Sequence, residues 1–190
     1  MKPGDVDRCA GHERFTRLDA AFRAGDMAAL RAAADDPSTI PNGLMPLTIR
    51  TCLVYAIYHS PVRFIRQLLE AGADPNPEVD DGFPPLIAAL SAGQVAPGAT
   101  ARTDVAEIVA LLLAFGADPH RRGINDYTAL HMAAGLGSAE VTRLLLEAGA
   151  DPTLRTRIDE CETPRELAQA AGFQDVAAIL LDCEHRGESR

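Results

Sequence analysis

The segment Gly123–Asp151, GINDYTALHMAAGLGSAEVTRLLLEAGAD, decides the fold predicted for this chain. It contains a turn, a short segment with one apolar face, a glycine break, a second apolar segment and a Gly-Ala-Asp ending. The same ending, followed by Pro, occurs at Gly72–Pro75, Gly116–Pro119 and Gly149–Pro152, and the last two copies begin 33 residues apart and the first two 44. A fixed period of this length is typical of stacked repeats, in which each helix-turn-helix unit packs on its neighbours.

Two helices are predicted within this segment. Thr128 precedes the first helix, where its hydroxyl can accept hydrogen bonds from the free N–H groups of the first turn, and Leu130 lies on the inward face. Val141 and Leu144–Leu146 cover most of the circumference of the second helix, which indicates burial between neighbours on both sides. Gly149 can then take the left-handed conformation that ends a helix.

About five such units are predicted along the chain, with a flexible arm before them and a polar tail after them. The boundaries are 1–13 for the arm, 14–37, 46–76, 79–120, 123–155 and 158–183 for the units, and 184–190 for the tail.

The spacing from Gly72 to Gly116 exceeds the 33-residue period by 11 residues, and this surplus belongs to the third unit. We place the surplus at 94–104, QVAPGATARTD, whose Pro, Gly, Ala and Thr content indicates a surface loop. The loop is either an insertion that the fold tolerates or a loop that contacts a partner, since unusually long loops often carry function.

Charge and cysteine content bound the function. The net charge of −9 and the pI near 5.0 weigh against a nucleic-acid partner, because phosphates need a concentrated basic face, but they permit a basic protein partner. The four cysteines form no CxxC pair and no metal-ligand spacing, which favours a reducing cytoplasm. Neither an apolar signal core nor an apolar run of about 18 residues is present, so membrane insertion is not expected. Lys2 is the only Lys, which we interpret as the genomic bias of a bacterium.

The chain resembles the ankyrin repeat over about residues 15–183. The helix start of that family is nearly met by Thr128-Ala129-Leu130-His131 and again by Thr163-Pro164 followed by Leu167-Ala168. Gly137, the run Val141–Leu145 and the ending Gly149-Ala150-Asp151 complete the family's unit. The starts at Thr51–Val54 and Pro84–Ile87 keep the Leu but lack the His, so those two turns are expected to be less regular.

The resemblance implies an all-α solenoid of stacked helix-turn-helix units with projecting fingers made of β-turns or hairpins. First helices would line a concave groove, second helices would form the convex back, and a partner would bind the groove and the finger tips. The positions expected to face a partner are Arg50, Tyr58 and His59 in the second unit, Asp80, Asp81, Phe83 and Ser91 in the third, Ile124, Asn125, Tyr127 and Leu136 in the fourth, and Asp159, Glu160 and Glu162 in the fifth. Three of these are aromatic, and exposed aromatics supply much of the energy of interfaces.

No catalytic, metal or cofactor site is predicted. The sequence has no Gly-rich phosphate loop, no HExxH and no GxSxG, and the resemblance makes His131 a structural residue that ties its turn to its helix. The favoured function is a non-catalytic protein–protein interaction module in the cytoplasm, monomeric when free, with a protein partner and without nucleic acid.

Three other functions remain open. One is an inhibitor or immunity-type protein that neutralises a toxin or enzyme, which the acidity would suit. Another is a scaffold that self-associates through its end units. The last is an enzyme or small-ligand binder that uses the acidic residues of neighbouring fingers, namely Asp80, Asp81, Asp126, Asp159 and Glu160. Such carboxylates would need a closed site to shift their pKa values usefully.

Overall fold

The computed structural model describes residues 3–44, 50–78, 82–94, 101–158 and 161–187, and this part of the chain is all-α. The helices are α1 Pro3–Ala24, α2 Met27–Ala33, α3 Cys52–His59, α4 Val62–Glu70, α5 Pro85–Ala92, α6 Val105–Ala114, α7 Ala129–Gly135, α8 Ala139–Glu147, α9 Pro164–Ala170 and α10 Gln174–Gly187, with 3₁₀ turns at Pro37–Thr39 and Ile124–Asp126. The predicted all-α class is therefore confirmed. The hairpins expected in the fingers are not confirmed, because the described residues contain no strand, only an isolated antiparallel bridge between Leu44 and Thr51.

The chain divides into two compact units, Met1–Asp81 and Gly82–Arg190. In the first unit α1 packs on α2 and α3, and α3 packs on α4. Phe22 forms the centre of this core, with its ring 5.1 Å from that of Tyr55 and 5.7 Å from that of Phe64, both edge-on. Edge-to-face contacts of this kind add to the stabilisation from burial.

The second unit has two layers of helices. Each helix packs on its partner in the pairs α5–α6, α7–α8 and α9–α10, and neighbouring pairs contact each other through α5–α7–α9 on one side and α6–α8–α10 on the other. Leu112, Leu130 and Leu145 are completely buried between these layers. This arrangement explains the apolar circumference of α8, because the helix contacts a partner and two neighbours.

Glycines end the helices as the repeated endings predict. Gly149 has a φ of +88°, and the amide of Ala150 donates to the carbonyl of Leu145 at 2.9 Å. This is the left-handed ending that satisfies the last carbonyls of a helix. Thr128 and Thr163 cap α7 and α9 through their hydroxyls, as the sequence also indicates.

The structure differs from the expected boundaries at both ends of the chain. The interval 1–13, expected to be a flexible arm, is helical from Pro3 onward, and proline suits a first helical turn because it lacks the N–H that has no partner there. At the other end α10 continues to Gly187, through most of the expected tail. An ion pair of Arg165 Nε with Glu184, at 2.9 Å, ties these last turns to α9.

Candidate functional site

His131 anchors the turn that precedes α7. It is completely buried, and its Nδ1 accepts from the amide of Thr128 at 3.3 Å. The ring proton is therefore on Nε2, which donates to the carbonyl of Glu162 at 3.2 Å. Burial is the main cause of a lowered pKa for this imidazole, so the ring is neutral near pH 7. The contacts agree with the structural role that the resemblance implies for His131.

The finger before α7, defined here as residues 123–128, has an unusual backbone. Asn125 and Asp126 have φ values of 56° and 61°, and they are two of the three non-glycine residues with positive φ in the described part of the chain. The amide of Gly123 donates to the carbonyl of Tyr127 at 2.9 Å and closes the turn. Non-glycine residues rarely adopt left-handed conformations, although Asn and Asp do so more readily than the others, so two in succession depend on contacts that hold this turn.

The carboxylate of Asp126 supplies those contacts. It accepts from Arg122 Nη1 at 2.6 Å and from the amide of Arg157 at 2.7 Å, and it pairs with Arg157 Nη2 at 2.6 Å. The side-chain hydrogen bond from Arg157 is the main cause that lowers the pKa of Asp126 to about 2. The carboxylate is thus a permanent anion near neutral pH, bound by two guanidinium groups.

A pocket of about 280 Å³ lies beside this finger. Asn125 and Tyr127 line it from the finger, and Met132 and Leu136 line it from α7 and its C-terminal cap. Tyr127 is stacked on His131, with ring centroids 5.8 Å apart and planes 4° from parallel. Leu136 is 41% exposed, so an apolar side chain faces solvent at the edge of the pocket.

Two more elements complete the pocket. Leu167 lines it from α9, and Gln94, which follows the C-terminal cap of α5, lines the opposite side. Gln94 is also the first residue of the inserted loop. The described base of that loop is held in place, because the amide of Arg102 donates to the carbonyl of Ala92 at 3.2 Å and its guanidinium pairs with Asp104 at 2.7 Å.

The chemistry of the pocket is apolar with a few uncharged polar groups. The amides of Gln94 and Asn125 and the phenol of Tyr127 can donate or accept hydrogen bonds, while Met132, Leu136 and Leu167 supply apolar surface. None of the described lining residues carries a charge, since His131 is neutral. The pocket therefore suits an uncharged apolar or aromatic group that needs one or two hydrogen bonds.

The predicted partner-facing residues distribute unevenly over the structure. Asn125, Tyr127 and Leu136 come together in the pocket. Phe83 and Ser91 are half-buried and do not line it.

The other predicted positions lie elsewhere. Within the compact unit Met1–Asp81, the guanidinium of Arg50 lies 4.4 Å from the ring centre of Tyr58. The ring of His59 lies 4.5 Å from that of Tyr55. Glu162 contributes its backbone carbonyl to His131. Outside the described residues are Asp80, Asp81, Asp159 and Glu160, as is the side chain of Ile124.

Besides His131, four lining residues are absent from the positions predicted individually to face a partner, namely Gln94, Met132, Gly135 and Leu167. Gln94 belongs to the loop 94–104, which the sequence does offer as a partner contact. Met132 and Leu167 carry no comparable signal, since an apolar residue on a short helix looks the same whether it lies in the core or at the edge of a pocket.

Comparison with known proteins identifies the repeats. Residues 98–189 match the family model of ankyrin repeats, in three copies. A stretch of 82 residues is 42% identical to part of the 2-5A-dependent ribonuclease of the mouse, Mus musculus, and covers 43% of this chain and 10% of that protein. The chain thus spans about a tenth of the length of this relative. Among the described residues, none of the helices combines the length and apolar character needed to cross a bilayer.

Proposed function

We propose that this chain, which carries ankyrin repeats over residues 98–189, binds a partner protein through the pocket beside the finger 123–128. Ankyrin repeats are generally protein–protein interaction modules. The observation that carries the proposal is the convergence of Asn125, Tyr127 and Leu136 in one uncharged pocket. Together with Ile124, these are the residues of the fourth predicted repeat that the repeat pattern leaves free. The inserted loop begins at the same pocket, with Gln94, which supports a role for the loop in binding.

The size of the pocket favours a partner's side chain over a free small molecule. Small-molecule sites commonly occupy roughly 300–1,000 Å³ and bury most of the ligand, whereas this pocket has about 280 Å³ and an exposed leucine at its edge. A single apolar or aromatic side chain, presented by a folded partner or a peptide, fits this description. Such anchors in a central pocket supply much of the affinity of protein interfaces.

The described acidic residues do not support the enzymatic alternative. A general base needs a pKa near the working pH, whereas the pKa of Asp126 is lowered to about 2 by its arginine partners. We therefore propose a non-catalytic function. We do not propose for this chain the ribonuclease activity that the name of the mouse protein states, because the match covers 10% of that protein. The inhibitor and scaffold alternatives rest on acidity and repeat architecture alone.

Further proposals concern the setting of the protein. We propose that it is a cytoplasmic protein of bacterial origin and that it is monomeric when free. The scattered cysteines and the Arg-rich, Lys-poor composition support the first two points. The third is checked by light scattering over a range of concentrations, in which a molar mass that rises above 20.2 kDa would exclude a monomer.

Affinity capture with matched variants tests the binding proposal. Leu136→Ala removes the exposed leucine at the pocket, and Leu181→Ala removes a leucine of similar exposure, 38%, on α10. We expect a protein from extracts of the source organism to be retained by the wild type and by Leu181→Ala but lost with Leu136→Ala. With the purified partner, Tyr127→Ala and Leu136→Ala should each cost about 1–4 kcal/mol of binding free energy, measured by calorimetry. Equal binding by all variants would place the interface elsewhere.

A further inference from the structure

We propose that Arg157 is a positioning residue that holds the finger 123–128 in its strained shape and thereby presents Asn125 and Tyr127 to the pocket. The effect on partner binding rests on the proposed function, whereas the effect on the shape of the finger does not. Arg157 lies outside the finger and does not line the pocket, so it would act on binding only through Asp126.

The backbone of the finger is strained at two consecutive residues. Asn125 has φ 56° and ψ 27°, and Asp126 follows with φ 61°. Two consecutive left-handed non-glycine residues are unfavourable for an isolated loop, and such conformations persist only where surrounding contacts determine them. The position of Asn125 at the pocket depends on this backbone, since a return to right-handed dihedrals would turn its side chain away.

Several contacts from Arg157 converge on the carboxylate of Asp126. Besides the Nη2 pair at 2.6 Å, Arg157 Nε lies 3.1 and 3.2 Å from the two carboxylate oxygens. Both oxygens are thus engaged by one planar guanidinium, and charge-assisted pairs of this kind are stronger and more directional than neutral hydrogen bonds. The backbone amide of Arg157 donates to the same carboxylate.

The two partners of this ion pair differ in burial. The side chain of Asp126 is 9% exposed, whereas that of Arg157 is 73% exposed. Arg157 therefore covers the carboxylate from the solvent side and has little other packing. Arg122 holds the carboxylate from within the finger, and its Nη2 donates to the carbonyl of Arg155. Among the described residues, contacts from residues 155–157 tie this carboxylate to the following finger, and Arg157 supplies a side chain among them.

A preorganised finger raises affinity because the cost of ordering it is met before the partner arrives. Without the Arg157 side chain, the left-handed residues Asn125 and Asp126 lose some of the contacts that offset their backbone strain, and the finger samples other conformations. The amides of Gly123 and Asp126, which donate to the carbonyls of Tyr127 and Gly123, would then exchange faster with solvent.

Amide hydrogen exchange on the full-length protein tests the proposal without any partner. We expect Arg157→Ala to increase exchange at Gly123 and Asp126 by about twofold to fivefold, as the loss of one exposed pair permits. Arg165→Ala is the matched control, because it breaks an ion pair with Glu184 on the last two helices and should leave the finger unchanged. Circular dichroism establishes that both variants are folded.

A rescue variant separates positioning from general destabilisation. Glycine takes left-handed dihedrals at little cost, so Asn125→Gly in the Arg157→Ala background should restore protection at Asp126. Unchanged exchange in Arg157→Ala, an equal increase in Arg165→Ala, or the absence of rescue would each overturn the proposal. With a partner in hand, Arg157→Ala should weaken binding by no more than the factor by which exchange rises; if exchange rises but Tyr127→Ala and Leu136→Ala leave binding unchanged, the lock is real and the pocket is not the interface.

Discussion

His131 is completely buried and neutral, with both ring nitrogens engaged by Thr128 and the carbonyl of Glu162. Burial lowers its pKa below the ordinary value of 6.5. In the unfolded chain the ring takes up a proton as the pH falls through 6.5, whereas in the folded chain it does not until the lower folded pKa is reached. Stability from this residue is therefore present above pH 6.5 and is lost progressively as the pH falls below it.

We expect the free energy of unfolding to fall by up to about 1.4 kcal/mol per pH unit below pH 6.5 from this residue. Urea denaturation between pH 7.5 and 5 measures the slope, and the range stops above the region where carboxylates titrate. His120→Gln is the control: the side chain of His120 is 46% exposed, and this variant should leave the slope from His131 in place. A free energy that does not change over this range, together with a His131 pKa of 6.5 by NMR, would contradict the expectation.

At the scale of single residues, the sequence points to candidate site residues at positions whose residue type the repeat pattern does not account for. Tyr127 and Asn125 stand out because the repeat already accounts for Thr128 and His131. Asp126 stands out only as one of several acidic residues. Its role in holding the finger depends on Arg157, 31 positions away, and a pairing at that distance follows only from the stacking of the fingers.

At the scale of elements, helices were predicted well where glycine or a capping residue marks the end. The left-handed Gly149 and the caps at Thr128 and Thr163 are examples. The ends of the chain were predicted less well, because α1 begins at Pro3 without an apolar periodicity, and α10 is prolonged by an ion pair with Arg165 that no local pattern shows.

The turn between α7 and α8 depends on Gly137 in two ways. Its φ is +70°, and a Cβ added there would lie 2.5 Å from Cδ1 of the Phe173 ring. Gly149 has a φ of +88° but no atom within 4 Å of an added Cβ. Gly137→Ala therefore combines backbone strain with a clash between the turn after α7 and the turn after α9, whereas Gly149→Ala carries the strain alone.

We expect Gly149→Ala to destabilise by about 1 kcal/mol and Gly137→Ala by about 2–4 kcal/mol. Chemical denaturation of the two variants beside the wild type measures both values. Phe173→Leu in the Gly137→Ala background should recover part of the difference, because it removes the ring that the new methyl group meets. Equal losses for the two alanine variants would show that Phe173 moves aside without cost.

At the scale of the whole molecule, a repeat period predicts helix pairs and their order, but not where one compact unit ends. The endings at Gly72, Gly116 and Gly149 suggest one uninterrupted series, whereas the structure divides into Met1–Asp81 and Gly82–Arg190. The division falls shortly before the helix start at Pro84–Ile87, whose turn is expected from the sequence to be less regular but not to separate two units. Contacts within each unit, which depend on three-dimensional packing, decide it.

The second unit contains what an independent fold requires. It has three complete helix pairs in two layers, and Ile87, Leu112, Leu130, Leu145 and Leu180 on these pairs are completely buried. The stability of a repeat array comes from the packing within each repeat and from the interfaces between neighbouring repeats. Three adjoining helix pairs supply both contributions. The finger, the pocket and the Asp126–Arg157 pair also lie within this unit.

We therefore expect a fragment of residues 82–190 to fold without residues 1–81. It should show a helical circular dichroism spectrum and a cooperative thermal transition, with the amide of Asp126 as protected as in the full chain. A fragment of residues 98–190, which lacks α5, is the control: it removes the partner of α6 and the neighbour of α7, so its transition should be lower or absent. If residues 82–190 lacked a cooperative transition, the core of the second unit would not suffice to hold the finger and pocket in place.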